Sequence, residues 1–186
     1  MGSTHALFGM LLGSTILLWQ PELLLPVGLA AFIGGLFPDL DMPFDHRETL
    51  HYPVQFWFVA VIALVYAVLS PGIYTVSMFY FVLAAAVHST SDILGGGLEE
   101  KPWKMSADRA VYDHFNEKWW SPRYFIRYDG SPEDLLLTIL FGAACYLIYS
   151  PNYTALIGFT VLISAIYAAV RKRIVDWAPD WVKDLL

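Results

Sequence analysis

The chain has 186 residues and a net charge of −6, with 57% hydrophobic and only 15% charged residues. Soluble domains carry roughly 25% charged residues, so this composition, with a mean hydropathy of +0.52, describes a small membrane bundle rather than a cytosolic globule. The acidic balance excludes the basic footprint that nucleic acid requires, and the single Cys145 excludes an intramolecular disulfide.

A bilayer core about 30 Å thick needs roughly 17–25 apolar residues in helical form. Six segments approach that length: 5–19, 22–37, 51–69, 73–94, 133–149 and 152–170. The first two are short for full spans, and Pro26 lies inside the second, so these two are expected to tilt, kink or enter only part way. Gln20-Pro21, Ser70-Pro71-Gly72 and Ser150-Pro151 are turn signals between them. Residues 1–46 hold no Lys or Arg, so no charged leader of a cleaved signal peptide is expected. The fold class these features predict is all-α: a polytopic membrane helix bundle of about six helices forming a single membrane domain. Within it, 1–95 makes a four-helix half, 96–132 an interfacial insert, and 133–186 two further helices with an amphipathic tail.

Alternating crossings place 38–50, 95–132 and both termini on one side, and all 11 Lys and Arg fall there. The positive-inside bias makes that side cytoplasmic, which predicts an inner (plasma) membrane protein. In the insert, Ala107, Val111, Phe115 and Trp119 recur every fourth residue and predict a short amphipathic helix. Trp103, Trp119, Trp120, Tyr124 and Phe125 suit the headgroup zone, and Trp177, Trp181 and Leu185 form a similar face at the C-terminus. His114 reads as a surface residue. Ser131-Pro132-Glu133-Asp134 is a helix start, with a capping hydroxyl, an early proline and acids at the positive dipole end. Arg171-Lys172-Arg173 reads as a topology anchor.

The stretch FPDLDMPFDHRETLH at 37–51 concentrates four carboxylates, two histidines and an arginine between apolar segments. The same alternation brings His5, Asp39, Asp41, His51, His88 and Asp92 to one membrane surface. His5 shares a helix face with Gly9 and Gly13, and His88 shares one with Ala84 and Asp92, because residues four apart stack. Small residues on those faces let helices approach closely, and ionisable groups in membrane helices face the bundle interior. Imidazoles and carboxylates together suit a divalent ion, zinc first and manganese or iron next, in a site of one or two ions. Two-metal sites of this kind commonly serve phosphoester hydrolysis. Arg47 is then suited to holding an anionic group through its planar fork, and Asp45 to orienting a water or taking its proton.

The ordered set THALFG at 4–9, GGLFPDLD at 34–41, HRETLH at 46–51 and HSTSD at 88–92 resembles the YdjM-like family of membrane-bound, metal-dependent hydrolases. It is more distantly similar to zinc-dependent phospholipase C and nuclease-type enzymes. The resemblance covers residues 4–97. It implies His5, Asp39, Asp41, His46, His51, His88 and Asp92 as the metal site, and it implies hydrolysis. Met42 stands where family members often carry His, and Leu50 where they often carry Thr. The interfacial aromatics point to membrane lipid or a lipid-linked molecule as substrate. Two other functions fit the same ligands: a scaffold whose metal merely ties helices together, and a divalent-cation transporter. Transport sites usually lie near the bilayer midplane, whereas these groups lie at helix ends.

Overall fold

The structure, a computed structural model, describes residues 1–177. Among these residues six α-helices dominate, and the predicted all-α membrane bundle is what the chain forms. They are α1 (Gly2–Gly13), α2 (Leu24–Leu36), α3 (Gln55–Leu69), α4 (Ile73–Ser91), α5 (Pro132–Tyr149) and α6 (Thr154–Trp177). With their flanking 3₁₀ turns, Pro21–Asp41, Ile73–Leu94, Pro132–Tyr149 and Thr154–Trp177 are long and apolar enough to cross a membrane. The two shorter apolar helices are the first and the third, Gly2–Leu18 and Gln55–Leu69, rather than the first and second as the sequence predicts. Pro26 explains the difference. It sits in the opening turn of α2, where a missing N–H breaks no helical hydrogen bond, so the helix runs on undisturbed. Pro53, by contrast, delays the start of α3 to Gln55.

Helix α1 is the hub, packing against α2, α4, α5 and α6, while α3 lies outside on α4. Lipid provides no hydrophobic drive between helices, so close packing and interhelical hydrogen bonds must hold them. Both are present. A Cβ at Gly9 would collide with the Ala31 carbonyl, and one at Gly35 with the His5 carbonyl, so α1 and α2 meet backbone to backbone. Leu7, Met10, Phe32, Cys145, Tyr149 and Ile157 fill the seam toward α5 and α6. There the Tyr149 hydroxyl donates to the Met10 carbonyl at 2.9 Å. Thr4 reaches across to both Asp134 and Thr138, and Ser164 of α6 donates to Thr138 at 3.2 Å. The opposite faces of α3, α5 and α6 expose Ile62, Leu69, Leu140, Leu147, Phe159 and Ile166, as a lipid-facing surface requires.

The start of α5 is as its sequence predicts: Ser131 accepts from the Asp134 amide, and Pro132, Glu133 and Asp134 fill the first turn. The insert is different. No helix forms over Ala107–Trp119. A hairpin pairs β1 (Val111–Asp113) with β2 (Lys118–Trp120), with Val111 opposite Trp120. The four-residue spacing of apolar side chains is overridden by a two-residue alternation around Tyr112, with Val111 and Asp113 both buried. Asp113 then closes the turn, accepting from the Phe115 amide at 2.9 Å and the Asn116 amide at 3.2 Å. The Trp177 end of the predicted C-terminal face is exposed on α6; Trp181 and Leu185 lie outside the described residues.

The insert is stitched onto one end of the bundle. The Arg123 amide donates to the Ile93 carbonyl at 2.7 Å and the Tyr112 amide to the Arg47 carbonyl at 3.0 Å. His114 is only partly exposed: it donates to the Glu48 carbonyl at 2.7 Å and stacks on Tyr52. The polar loop after α2, the end of α4 and the insert therefore form one layer over the helix ends.

Candidate metal centre

Beneath that layer four side chains from three parts of the chain converge. Asp39 comes from the 3₁₀ turn Pro38–Asp41, which forms because Pro38 cannot continue α2. His51 precedes α3, His88 occupies the last turn of α4, and Asp92 begins the 3₁₀ turn that follows it. One ligand atom from each lies within 4.8 Å of all the others. His51 Nε2 is 3.1 Å from Asp92 Oδ2 and 3.8 Å from Asp39 Oδ1. His88 Nε2 is 3.3 Å from Asp39 Oδ1 and 3.6 Å from Asp92 Oδ2. His51, His88 and Asp92 are buried.

Hydrogen bonds behind the cluster fix which atoms face inward. His51 Nδ1–H donates to Asp41 Oδ2 at 2.8 Å, and His88 Nδ1–H donates to the Gly35 carbonyl at 2.6 Å. With those protons committed outward, each Nε2 faces carboxylate oxygens, as a lone pair in the neutral ring or as a second N–H in the imidazolium. With the rings neutral, acceptors facing acceptors in a buried space repel unless a cation lies among them. Consistent with this, His51 Nε2, His88 Nε2, Asp39 Oδ2 and Asp92 Oδ2 are buried without a hydrogen-bond partner among the described residues. Two imidazoles and two carboxylates, with their second nitrogens bonded to a carboxylate and a carbonyl, are the donor set of a divalent site.

The remaining residues predicted from sequence divide around this group. His5 lies against it, its ring 4.0 Å from that of His88. Ser91 donates its hydroxyl proton to the His88 carbonyl and accepts from His5 Nε2 at 3.1 Å. This leaves His5 Nδ1 bare, 3.7 Å from Asp92 Oδ1. Asp92 thus directs one oxygen at His51 and His88 and the other at His5. Asp41 stands behind the ligand group: its oxygens accept from His46 Nδ1 at 2.8 Å, from His51, and from the Leu50 amide at 3.2 Å. His46 is therefore tied to Asp41 and joins the group only through it. Asp45 is exposed on the loop.

Arg47 is buried and has a left-handed backbone, φ 62°, uncommon outside glycine. Its Nη1 donates to the Gly96 carbonyl at 2.6 Å and to that of Ala110 at 3.3 Å, pinning loop to insert, while Nε lies 3.8 Å from Asp92 Oδ2. Much of its fork is thus spent on the protein rather than left for an anion.

Two openings adjoin the cluster. A cavity of about 200 Å³ is lined by Asp39, His46, Arg47, Asp129, Tyr167 and Arg171, among others. A smaller, mainly apolar crevice of about 150 Å³ lies between His5, Phe8, Leu94, Leu137 and Phe141. Arg171 is the residue that sequence reasoning missed. It reads as one of three equivalent surface cations, yet Lys172 and Arg173 are exposed while Arg171 is buried. Its signal is helical phase: Ser164 and Arg171, two turns apart on α6, are both buried, on the side that meets α1 and α5. Comparison with protein-family models, with characterised proteins and with solved structures finds no match for this chain.

Proposed function

We propose that the chain is a membrane-embedded, metal-dependent hydrolase of a phosphoester in a lipid or lipid-linked substrate, as its resemblance to the YdjM-like family implies. The observation that carries this reading is the convergence of four ligand atoms, of which His51 Nε2, His88 Nε2 and Asp92 Oδ2 are buried and unpartnered, with both imidazoles held in place from behind. Asp39, His51, His88 and Asp92 would hold the ion, zinc by donor type, with His5 beside them on the free oxygen of Asp92. When bound, a divalent ion supplies Lewis acidity and lowers the pKa of a coordinated water to about 7.

The chain's own groups divide the remaining work. Asp41 and the Gly35 carbonyl orient the imidazoles. Asp39 borders the larger cavity, with Oδ1 turned to the imidazoles, so the ion it would help hold lies beside that space. The cavity beside the cluster favours catalysis over a scaffold role, since structural metal sites are closed. The apolar crevice ending at His5 favours a substrate with an acyl or prenyl chain. The Lys and Arg residues at this end support a site on the cytoplasmic face, through the positive-inside bias.

The test is hydrolysis of anionic phospholipids in mixed micelles by metal-loaded protein. Activity that requires the metal and falls at least about 100-fold in both His88→Ala and Asp92→Ala supports the reading. Activity indifferent to both substitutions contradicts it.

A further inference from the structure

Arg171 is 2% exposed. Its Nε and Nη1 are buried and have no hydrogen-bond partner among the described residues. A guanidinium remains charged at any physiological pH, and an unpaired buried charge costs several kcal/mol. The acid that shares the cavity lining with Asp39, Asp129, is already engaged. It accepts from the Tyr167 hydroxyl at 2.9 Å and pairs with the Met1 ammonium at 2.5 Å. What Arg171 has is the Tyr167 ring, 5.9 Å from its guanidinium carbon, a contact that steadies the fork but leaves its N–H groups unanswered. On the same cavity, Arg47 Nε is likewise buried and unpartnered.

We propose that Arg171 binds the phosphate of the substrate, its fork meeting two non-bridging oxygens across the cavity from Asp39. The cavity joins the two: Asp39 of the ligand group and Arg171 both line it, so a phosphoryl group held by the arginine lies beside the ion site. Arg47 has less of its fork to offer, because Nη1 is given to two carbonyls. The substrate class is a phosphate ester with at least one anionic oxygen, and an arginine is suited to it because its donors match that geometry in pairs. This rests on the hydrolase reading for the identity of the reacting centre, but the binding of phosphate does not.

The experiment is equilibrium binding to the purified full chain in detergent, with inorganic phosphate as one probe and phosphatidic acid in mixed micelles as the other. Each is measured on metal-stripped and zinc-loaded protein whose metal content is determined. Arg171→Gln is expected to weaken phosphate binding about tenfold or more, the loss of a charge-assisted contact, with zinc content unchanged. Lys172→Gln removes the same charge from an exposed neighbour and is expected to shift it less than about twofold. Arg171→Lys keeps the charge without the fork and should fall between. Removing a purely structural arginine would lower the melting temperature of the ligand-free protein. Removing this one is expected to raise it and to abolish the further rise that phosphate gives the parent chain. A larger response to phosphatidic acid than to phosphate assigns the site to a lipid headgroup, and an equal response to a soluble ester. Equal binding by Arg171→Gln and the parent chain, equal loss in Lys172→Gln, or no binding of either probe overturns the proposal. Arg171-dependent binding in protein that takes up no metal leaves it standing while the hydrolase reading falls.

Discussion

His51 donates its Nδ1 proton to Asp41 at 2.8 Å, and this bond aims the bare Nε2 at Asp92, 3.1 Å away. Asp41 thereby governs the centre without reaching it. Replacing Asp41 with Asn keeps the volume but removes the charge and one of two strong acceptors for His46 and His51. The fold should survive while metal affinity falls about 10–100-fold, the usual cost of losing such a support. Competition against a chelator of known affinity measures this. An affinity equal to that of the parent chain would show that Asp41 does not orient the ring.

Gly35 serves twice: its missing side chain admits the His5 backbone, and its carbonyl accepts from His88. Gly35→Ala forces α1 away from α2, an overpacking that costs about 1–3 kcal/mol. The same shift displaces His5 and the acceptor of His88. Loss of melting temperature and loss of bound metal are expected together. A variant that melts lower yet binds metal as tightly would separate the helix contact from the site.

The Met1 ammonium and Asp129 give the fold a pH dependence outside the membrane segments. Burial opposes the charged amine, but the surrounding carboxylates, Asp129 first and then Asp134, Asp39 and Asp92, prevail and raise its pKa from 8.0 to about 11. Burial likewise opposes the Asp129 carboxylate, and the ammonium and the Tyr167 hydroxyl hold it below its ordinary value. The amine's contribution is complete below pH 8 and is lost as pH rises through about 11. That of Asp129 is complete above about pH 4 and is lost as pH falls through its lower folded value. Melting temperature in detergent, on protein verified to retain Met1, should decline along both arms. Asp129→Asn should flatten the alkaline one; an unchanged alkaline arm would remove this pair from the account.

The helices were legible because a bilayer satisfies backbone groups only within helices or closed barrels, so hydropathy reads almost directly as structure. The meeting of His5, Asp39, His51, His88 and Asp92 was legible for a related reason: successive helices joined by short turns run antiparallel, so alternate helix ends gather at one end of the bundle. What lay beyond reach depended on tertiary choices between chemically equal residues. Asp39 and Asp41 are two positions apart, and only the tight turn at Pro38 decides which faces the cluster and which stands behind it. Arg171 differs from Lys172 by one step of helical phase, fixed by packing against α1 and α5. The insert carried both a four-residue and a two-residue apolar spacing, and the closing bonds of Asp113 selected the hairpin.

The measurement that bears most directly on the buried cluster is X-ray absorption at the metal edge, on protein purified and then dialysed against zinc. A stoichiometric ion with imidazole and carboxylate scattering and no sulfur is expected, with reduced imidazole scattering in both His51→Ala and His88→Ala. Folded protein that retains no zinc, manganese or iron, or a ligand spectrum unaltered by both substitutions, would contradict a metal centre here.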